Sequence, residues 1–179
     1  RRNEQLNEVK IYLRHGKSNI QYGNYSLWGL YRGAVHITYP YVMQSMHMAL
    51  ERILLNLADD KKCDDRVKAS FDRILSHSES VSLTAIVASV VLAHPERYSE
   101  YAINLFKTIE LFHWDNMRSF DESLLASTYG LSHGHYWERI IQERAETLNQ
   151  VFRKKSLEAL CVEYQYTRSS NTNEEEHNK

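Results

Sequence analysis

The stretch from Ser80 to Ala93, Ser-Val-Ser-Leu-Thr-Ala-Ile-Val-Ala-Ser-Val-Val-Leu-Ala, decides the fold. Small and β-branched apolar residues fill most of its positions, so it has no continuous polar face to turn toward solvent. So many β-branched residues are also typical of a strand, but the length of the run and the helical patterns on both sides favour a helix. Ser80 is suited to be its N-cap. We therefore predict a central, buried helix.

A long amphipathic helix is predicted on the N-terminal side, beginning after Pro40, because proline suits the first position of a helix. Its apolar residues recur at spacings of three and four and form a stripe that we expect to face the core. The stripe consists of Val42, Met43, Met46, Ala49, Leu50, Ile53, Leu54 and Leu57. We interpret Met43, Met46 and Met48 as core filler rather than as a binding groove.

Further helices are predicted along the rest of the chain from the same periodicity. One runs through Val67, Phe71, Ile74 and Leu75, one starts at His94-Pro95, and three cover residues 111–125, 136–151 and 156–164. A short helix is predicted over residues 3–13, from Leu6, Val9, Ile11 and Leu13. Four of the six glycines then punctuate an aromatic-rich stretch up to Tyr41, which indicates a connector or cap for a helical stack.

Together these patterns predict an all-α fold, an antiparallel helical array that is either α-solenoid-like or an irregular bundle. Residues 1–39 would form the short helix plus the Gly/aromatic-rich connector or cap, and residues 40–166 the helical array. Residues 167–179 contain no apolar side chain and include Glu174-Glu175-Glu176, so a disordered acidic tail is expected. No repeat of fixed period supports a named repeat type.

The composition narrows the possible compartments and partners. With 22 basic and 23 acidic residues and a net charge of −1, no footprint for nucleic acid or an anionic membrane is present. No apolar stretch approaches the ~18 residues of a membrane span, and the polar start is not a secretory signal. Cys63 and Cys161 are expected to be reduced thiols of a cytoplasmic protein. Because residue 1 is Arg rather than Met, we expect a processed product or a part of a longer chain.

Gly16-Lys17-Ser18 matches the end of a phosphate-binding loop by its letters. The motif requires a further glycine where Ile11 stands, and no hydrophobic strand is predicted before it. We therefore interpret this tripeptide as an exposed basic turn, and no cofactor-binding residue is assigned.

His133, His135 and Glu138 are the best candidates for metal ligands, because they combine donor types that zinc accepts. A zinc site needs three or four converging ligands, so His113 or Asp115 would have to approach from elsewhere. The glycine-flanked histidines are more typical of a loop at the start of a helix, and we favour that interpretation. We therefore assign no metal and no catalytic residue.

Arg32 with His36, and Arg73 with His77, superficially resemble the Arg-His pairs of helical ribonucleases. Three residues separate the members of each pair, whereas that motif usually has four to six, so the spacing argues against a shared phosphate site.

Asp115 and Arg118 form a pair of opposite charges that is spaced to interact on a helix surface. Its expected role is helix-end electrostatics or a contact between helices.

Four segments carry a family resemblance: Pro40–Arg52, Ser82–Pro95, Leu111–Arg118 and Phe152–Leu160. Over residues 40–165 the chain resembles a helical region of large prokaryotic ATP-binding proteins similar to STAND-type NTPases of antiviral defence. In such proteins an effector and an NTPase precede helical arrays that recognise a trigger or pack against the ATPase. The resemblance implies that ATP and Mg²⁺ belong to a parent protein, because this chain carries no NTPase motif.

The expected function is therefore that of a non-catalytic helical scaffold or sensor segment, whose partners are neighbouring domains or a trigger protein. Two alternatives remain open. One is a small helical nuclease or hydrolase that uses the His cluster or the Arg-His pairs, and the other is a free-standing helical adaptor. The oligomeric state does not follow from the sequence.

Overall fold

The computed structural model describes residues 5–32, 41–128, 147 and 149–177. Helices make up most of these residues, so the predicted helical class is confirmed. The helices are α1 (Tyr25–Trp28), α2 (Tyr41–Asp59), α3 (Asp64–His77), α4 (Val81–Ala93), α5 (Ser99–Leu105), α6 (Ile109–Thr128) and α7 (Leu157–His177). Short 3₁₀ turns cover Arg14–Gly16, Gly29–Arg32, Lys61–Cys63 and Val151–Lys154.

Helix α4 lies at the centre of the packing, as the sequence predicts. All of its residues except Leu83 and Ala93 are buried, and it contacts α1, α2, α3 and α5. The side chain of Ser80 accepts a hydrogen bond from the amide of Ser82, which confirms it as the N-cap. A helix without a polar face is stable here because neighbouring elements cover it from several directions.

The N-terminal segment is a β-hairpin, so the helix predicted over residues 3–13 is wrong. Strand β1 (Asn7–Tyr12) pairs antiparallel with β2 (Ser18–Gly23), with Asn7 opposite Gly23 and Tyr12 opposite Ser18. Val9 and Ile11 are buried while Glu8 and Lys10 are exposed, which is the alternation of a half-buried strand. Val9, Ile11 and Leu13 are two residues apart, as in a strand. This spacing outweighs the single spacing of three, between Leu6 and Val9, that suggested a helix.

The hairpin is tied to the helices by polar contacts that involve its backbone and side chains. The amide of Tyr22 donates to the carbonyl of Glu79 at 2.7 Å, which extends the sheet edge toward the start of α4. Thr84 Oγ1 donates to Gln21 Oε1 at 2.6 Å in the interior, and Thr108 Oγ1 donates to the Lys10 carbonyl at 2.8 Å. The hairpin is therefore part of the packed fold rather than a loose extension.

The described part of the aromatic connector that follows the hairpin, up to Arg32, packs against the core. Asn24 caps α1 by accepting from the amide of Leu27, and Trp28 is completely buried. The indole of Trp28 lies 6.2 Å from that of Trp114, measured between ring centres. The Trp28 side chain thus packs the connector against α6.

Helices α5 and α7 differ most in their bounds from the helices that the sequence predicts. Helix α5 begins at Ser99 rather than at Pro95, because residues 95–98 form turns and the amide of Tyr98 bonds to the carbonyl of His94. Helix α7 continues to His177, where a disordered tail is expected; it contains neither Gly nor Pro, so no residue interrupts the helix. The helix predicted over residues 136–151 lies largely outside the described residues.

Among the described residues, no helix combines the length and the apolar character that a membrane-spanning helix requires. Cys63 and Cys161 are both free, as the sequence predicts.

Candidate functional site

The outer face of α2 exposes part of the predicted apolar stripe. Leu54 is buried and Leu50 and Leu57 pack against the core, as predicted, but the other members of the stripe are exposed, which corrects the prediction that the whole stripe faces the core. Val42, Met46 and Ile53 are 70%, 66% and 54% exposed, and Met43 and Met48 are also exposed. The buried positions of this helix are Gln44, Glu51, Leu54 and Ala58. The interpretation of the methionines as core filler is therefore wrong.

Glu51 accounts for this rotation of α2, because its carboxylate is held inside the protein. Arg153 Nη1 and Nη2 donate to Glu51 Oε1 and Oε2, each at 3.0 Å, from the 3₁₀ turn before α7. Ser89 of the central helix also donates to Glu51. A bidentate arginine–carboxylate pair of this kind is strong and fixes orientation. The polar Glu51 is therefore inside, and the part of the apolar stripe through Val42, Met46 and Ile53 turns outward.

A second buried pair, Asp115 with Arg118 on α6, contacts Trp28 of α1 and Leu157 at the start of α7. Arg118 Nε and Nη2 donate to Asp115 Oδ1 and Oδ2 at 2.8 and 3.2 Å, and Trp28 Nε1 donates to Oδ1 at 3.2 Å. The amide of Leu157 donates to Asp115 Oδ2 at 2.8 Å. The predicted Asp115–Arg118 pair therefore forms, but in the interior rather than on the surface, and it makes the expected contact between helices.

Arg32 connects these two pairs into one cluster. Arg32 donates to Glu122, which also accepts from Arg118 Nη1 at 3.1 Å. Nη1 of Arg32 lies 3.9 Å from Glu51 Oε2. We call these six residues the buried charge network: Arg32, Glu51, Asp115, Arg118, Glu122 and Arg153. Each of their side chains is at most 8% exposed. Three arginines face three carboxylates, so the network is formally neutral.

The surroundings shift the pKa values of Arg118 in the network and of Tyr31 beside it. Burial alone would lower the pKa of the Arg118 guanidinium, but the carboxylates of Asp115 and Glu122 oppose it and the pKa is raised. Burial raises the pKa of the Tyr31 hydroxyl, and the Arg32 guanidinium lies 5.8 Å from the centre of the Tyr31 ring. The Arg118 guanidinium therefore stays ionised, while the adjacent Tyr31 phenol stays neutral.

This arrangement is suited to holding elements together rather than to acid–base chemistry. The guanidinium of Arg118 also donates to the backbone carbonyls of Arg153 and Lys155, at 2.9 and 2.7 Å. Carboxylates that are engaged by arginines and nearly sealed from solvent do not reach a substrate proton. The network thus joins four parts of the chain: the connector that contains Arg32, helix α2, helix α6, and the turn that precedes α7.

The residues proposed as metal ligands do not meet among the described residues. His133, His135 and Glu138 lie outside them. His113 is exposed on α6, whereas Asp115 is buried with both oxygens bonded to Arg118. Within the described part of the chain, no group of three or more His, Cys, Asp or Glu side chains is placed to hold a metal ion.

Gly16-Lys17-Ser18 is exposed and lies where the β-hairpin turns from its first strand into its second. The amide of Leu13 donates to the carbonyl of Lys17 at 2.8 Å, and Gly16 adopts a φ of +73°, which glycine tolerates. A strand follows, whereas a phosphate-binding loop leads into a helix N-terminus. The hairpin geometry therefore excludes this segment as a phosphate-binding loop.

The two Arg-His pairs have different surroundings. Arg32 belongs to the buried charge network, and His36 lies outside the described residues. Arg73 and His77 are exposed on α3, where they line an open surface concavity with Ala69, Ser70, Asp72 and Ser76. His77 Nδ1 lies 3.2 Å from the carbonyl of Arg73 and 2.7 Å from Ser76 Oγ, so it is engaged by its own helix.

The fold and these sites define a predominantly α-helical protein with a buried ionic core and an exposed apolar helix face. No protein-family model and no curated protein matches the chain.

Proposed function

We propose that this chain is a non-catalytic scaffold or sensor segment of a larger cytoplasmic ATP-binding protein of the STAND type. In this proposal it binds a protein partner and passes a mechanical signal to neighbouring domains. The single observation that carries the proposal is the exposed apolar face of α2. A role in antiviral defence and a requirement for ATP and Mg²⁺ would belong to the whole protein.

The exposed α2 face supports a binding role because a contiguous exposed apolar patch usually marks an interaction site. Its members Val42, Met46, Ala49 and Ile53 follow one another at spacings of three and four, so they share one side of the helix. Methionine supplies an adaptable contact surface in such places. A partner helix laid along this face would cover side chains that are otherwise in water.

The buried charge network supports the transmission of a signal from that face. Glu51 points from α2 into the network, and its bidentate bonds to Arg153 reach the segment that leads into α7. A force applied to α2 is therefore transferred to elements far along the chain through short, directional contacts. A buried ionic network is a better source of such specificity than of net stability.

A photoreactive amino acid in place of Met46, in the natural protein that contains this chain, tests the proposal. The expected result is a reproducible set of crosslinks, identified by mass spectrometry, to one protein surface, and their loss on Ile53→Glu. The matched control is the same probe at Ile103 of α5, which is 49% exposed. Equal crosslinking from residues 46 and 103, unchanged by Ile53→Glu, would contradict a binding role for α2.

A catalytic function predicts a different response of the protein to substitutions, measured as RNA cleavage. If the chain were a nuclease that used Arg73 and His77, RNA cleavage by the purified chain would be lost on His77→Ala. The α2 substitutions would then leave that activity unchanged. Such a result would replace the scaffold proposal by the enzyme alternative.

A further inference from the structure

We propose that the open concavity on helix α3 binds a phosphate group between the guanidinium of Arg73 and the imidazole of His77. The ligand class is inorganic phosphate or a phosphate monoester, and no covalent bond is made or broken. This inference goes beyond the proposed function, because it uses neither the α2 face nor the buried charge network. It is supported by the convergence of the two side chains, the orientation of the His77 ring and the unpaired charge of Arg73.

The two side chains converge because they lie one helical turn apart on α3. Both are exposed and line the same concavity. Residues four apart on a helix share one face, with Cβ atoms about 5–6 Å from each other. The spacing differs from that of the ribonuclease motif, but the helix still brings Arg73 and His77 within reach of one ligand. Ala69, one turn before Arg73, also lines the concavity, and its small side chain leaves room beside the guanidinium.

The ring of His77 is held by its own helix in a way that leaves Nε2 for a ligand. Nδ1 lies 2.7 Å from Ser76 Oγ and 3.2 Å from the carbonyl of Arg73. Because Ser76 Oγ donates its proton to the carbonyl of Asp72, it accepts from Nδ1, which therefore carries the proton of the neutral imidazole. Nε2 can then accept from a protonated phosphate or, once protonated, donate to the dianion. In both cases Nε2 and a phosphate oxygen share one proton.

The positive charge of Arg73 is not neutralised within the described part of the chain. Its exposed guanidinium makes no hydrogen bond and no ion pair with another described residue. Asp72, the acidic residue that lines the concavity, has both oxygens engaged, by Arg14 at 3.4 Å and by the Tyr101 hydroxyl at 2.9 Å. A bound phosphate would therefore supply the ion-pair partner that Arg73 lacks, through two parallel hydrogen bonds from the guanidinium.

The donors of this site favour a phosphate over a carboxylate. A carboxylate that accepts both bonds of an arginine fork has its two oxygens in the plane of the guanidinium, and neither is then directed at a second donor. A phosphate group has at least three terminal oxygens in a tetrahedral arrangement, so two can accept from Arg73 while a third faces His77. Because the concavity is open to water, we expect weak binding, with a dissociation constant on the order of 1 mM.

An NMR titration of the chain with inorganic phosphate, at an ionic strength held constant with sodium chloride, tests the inference. We expect saturable shifts of the His77 ring signals and of the backbone amides around the concavity. The dissociation constant should rise at least about fivefold in Arg73→Gln and in His77→Ala, because each variant removes one side of the site.

Arg66→Gln is the matched control for the loss of charge. Arg66 is exposed on the same helix and does not line the concavity. Its guanidinium, like that of Arg73, has no ion-pair partner among the described residues. The substitution removes the same charge about 10 Å along the helix axis, so the dissociation constant should stay within about twofold of the wild type.

Two further ligands distinguish the source of the phosphate group. A peptide that contains phosphoserine represents a modified protein side chain, and adenosine 5′-monophosphate represents a small metabolite. Each is titrated in the same way, with its unphosphorylated form as the blank. The ligand that binds more tightly identifies the source, and binding of neither would overturn the inference.

Two results of the phosphate titration would also overturn it. One is a set of shifts that grows linearly, without saturation, far above the expected dissociation constant. The other is equal weakening by Arg66→Gln and Arg73→Gln, which would show that diffuse positive charge rather than a site attracts the anion. Circular dichroism separates lost binding from lost folding, and the helical signal should be unchanged because residues 66, 73 and 77 are all exposed.

Discussion

Arg153 donates two parallel hydrogen bonds of 3.0 Å to the carboxylate of Glu51, a residue 102 positions earlier in the chain. Both side chains are at most 5% exposed. This contact fixes the rotation of α2 about its own axis and anchors the turn that leads into α7. It therefore determines both what is buried and which apolar side chains reach the surface.

Replacing Glu51 by Gln should lower the free energy of unfolding by about 3–5 kcal/mol, because Arg153 and Arg32 would remain buried without their compensating charge. Urea denaturation followed by circular dichroism measures this loss. The matched control is Glu163→Gln, since Glu163 pairs with Lys155 at 2.8 Å on the surface. That exposed pair should contribute at most about 1 kcal/mol.

A double variant separates the pair from its members. In Glu51→Met with Arg153→Met, no charge of the pair is left uncompensated, so the loss should be smaller than the sum of the two single losses. Additive losses would show that the two side chains act independently and would contradict a network.

The sequence predicts the helical class and the central helix, but not the rotation of α2 or the buried charge network. Helix α4 is predictable because an element without a polar face has to be buried. On α2, counting apolar residues selects the stripe through Met46 and Ile53, whereas Glu51 is drawn inside by Arg153. That partner is too distant in the chain for local periodicity to reveal, so neither the network nor the exposed face could be predicted.

The sequence of the β-hairpin contains a strand pattern that competes with its weak helical spacing. Glu8, Val9, Lys10 and Ile11 alternate polar and apolar residues, and a glycine follows at position 16 before a second polar–apolar segment. Alternation of this kind on both sides of a turn is typical of a hairpin.

The spacing of Asp115 and Arg118 alone predicts that they pair. Only the burial of this pair depends on Trp28 and Leu157, which are distant in the sequence.

Replacing Gly23 by Ala should destabilise the protein by about 1–3 kcal/mol, as expected for overpacking of a tight interior. A Cβ atom at this position would lie 2.0 Å from Cγ2 of Val81, at the start of the central helix. Thermal and urea unfolding measure the loss. Gly16→Ala tests strain without crowding: apart from the adjacent residues, nothing lies within 4 Å of a Cβ atom there, and the φ of +73° alone opposes a side chain.

Truncating Val81 should relieve the crowding. Val81→Ala by itself removes buried contacts and is destabilising, but Gly23→Ala combined with Val81→Ala should cost less than the sum of the two. A coupling energy close to zero would show that the loss in Gly23→Ala does not arise from contact with Val81.

Replacing Thr84 by Val should cost about 1–3 kcal/mol, because the buried Gln21 Oε1 would lose its 2.6 Å hydrogen bond while the shape of the side chain is kept. Urea denaturation measures the loss. Thr167→Val is the matched control: Thr167 Oγ1 donates to the Glu163 carbonyl at an exposed position of α7. Its effect should stay within about 0.5 kcal/mol. Equal effects of the two substitutions would contradict a structural role for the bond between the hairpin and α4.

Stability should fall in alkaline solution, and Tyr98 should account for part of the fall. The ring of Tyr98 lies 5.2 Å from that of Phe71, and its hydroxyl donates to Asp64 Oδ1 at 3.2 Å. Burial, followed by the Asp64 carboxylate, raises its pKa from 10.0 to about 12. Between these pH values the unfolded chain releases a proton that the folded protein retains, so the free energy of unfolding decreases as pH rises. Below pH 10 this contribution is present in full.

Urea midpoints at a series of pH values from 8 to 11 measure this dependence, with Tyr98→Phe as the test variant. Phenylalanine has no proton to release, so the decrease above pH 10 should become shallower, although it should not vanish because burial also raises the pKa of Tyr31 and of Tyr101. Tyr166→Phe, at an exposed position of α7, is the matched control and should keep the wild-type slope. If Tyr98→Phe and the wild type lose stability in parallel above pH 10, the Tyr98 hydroxyl is not a source of the alkaline transition.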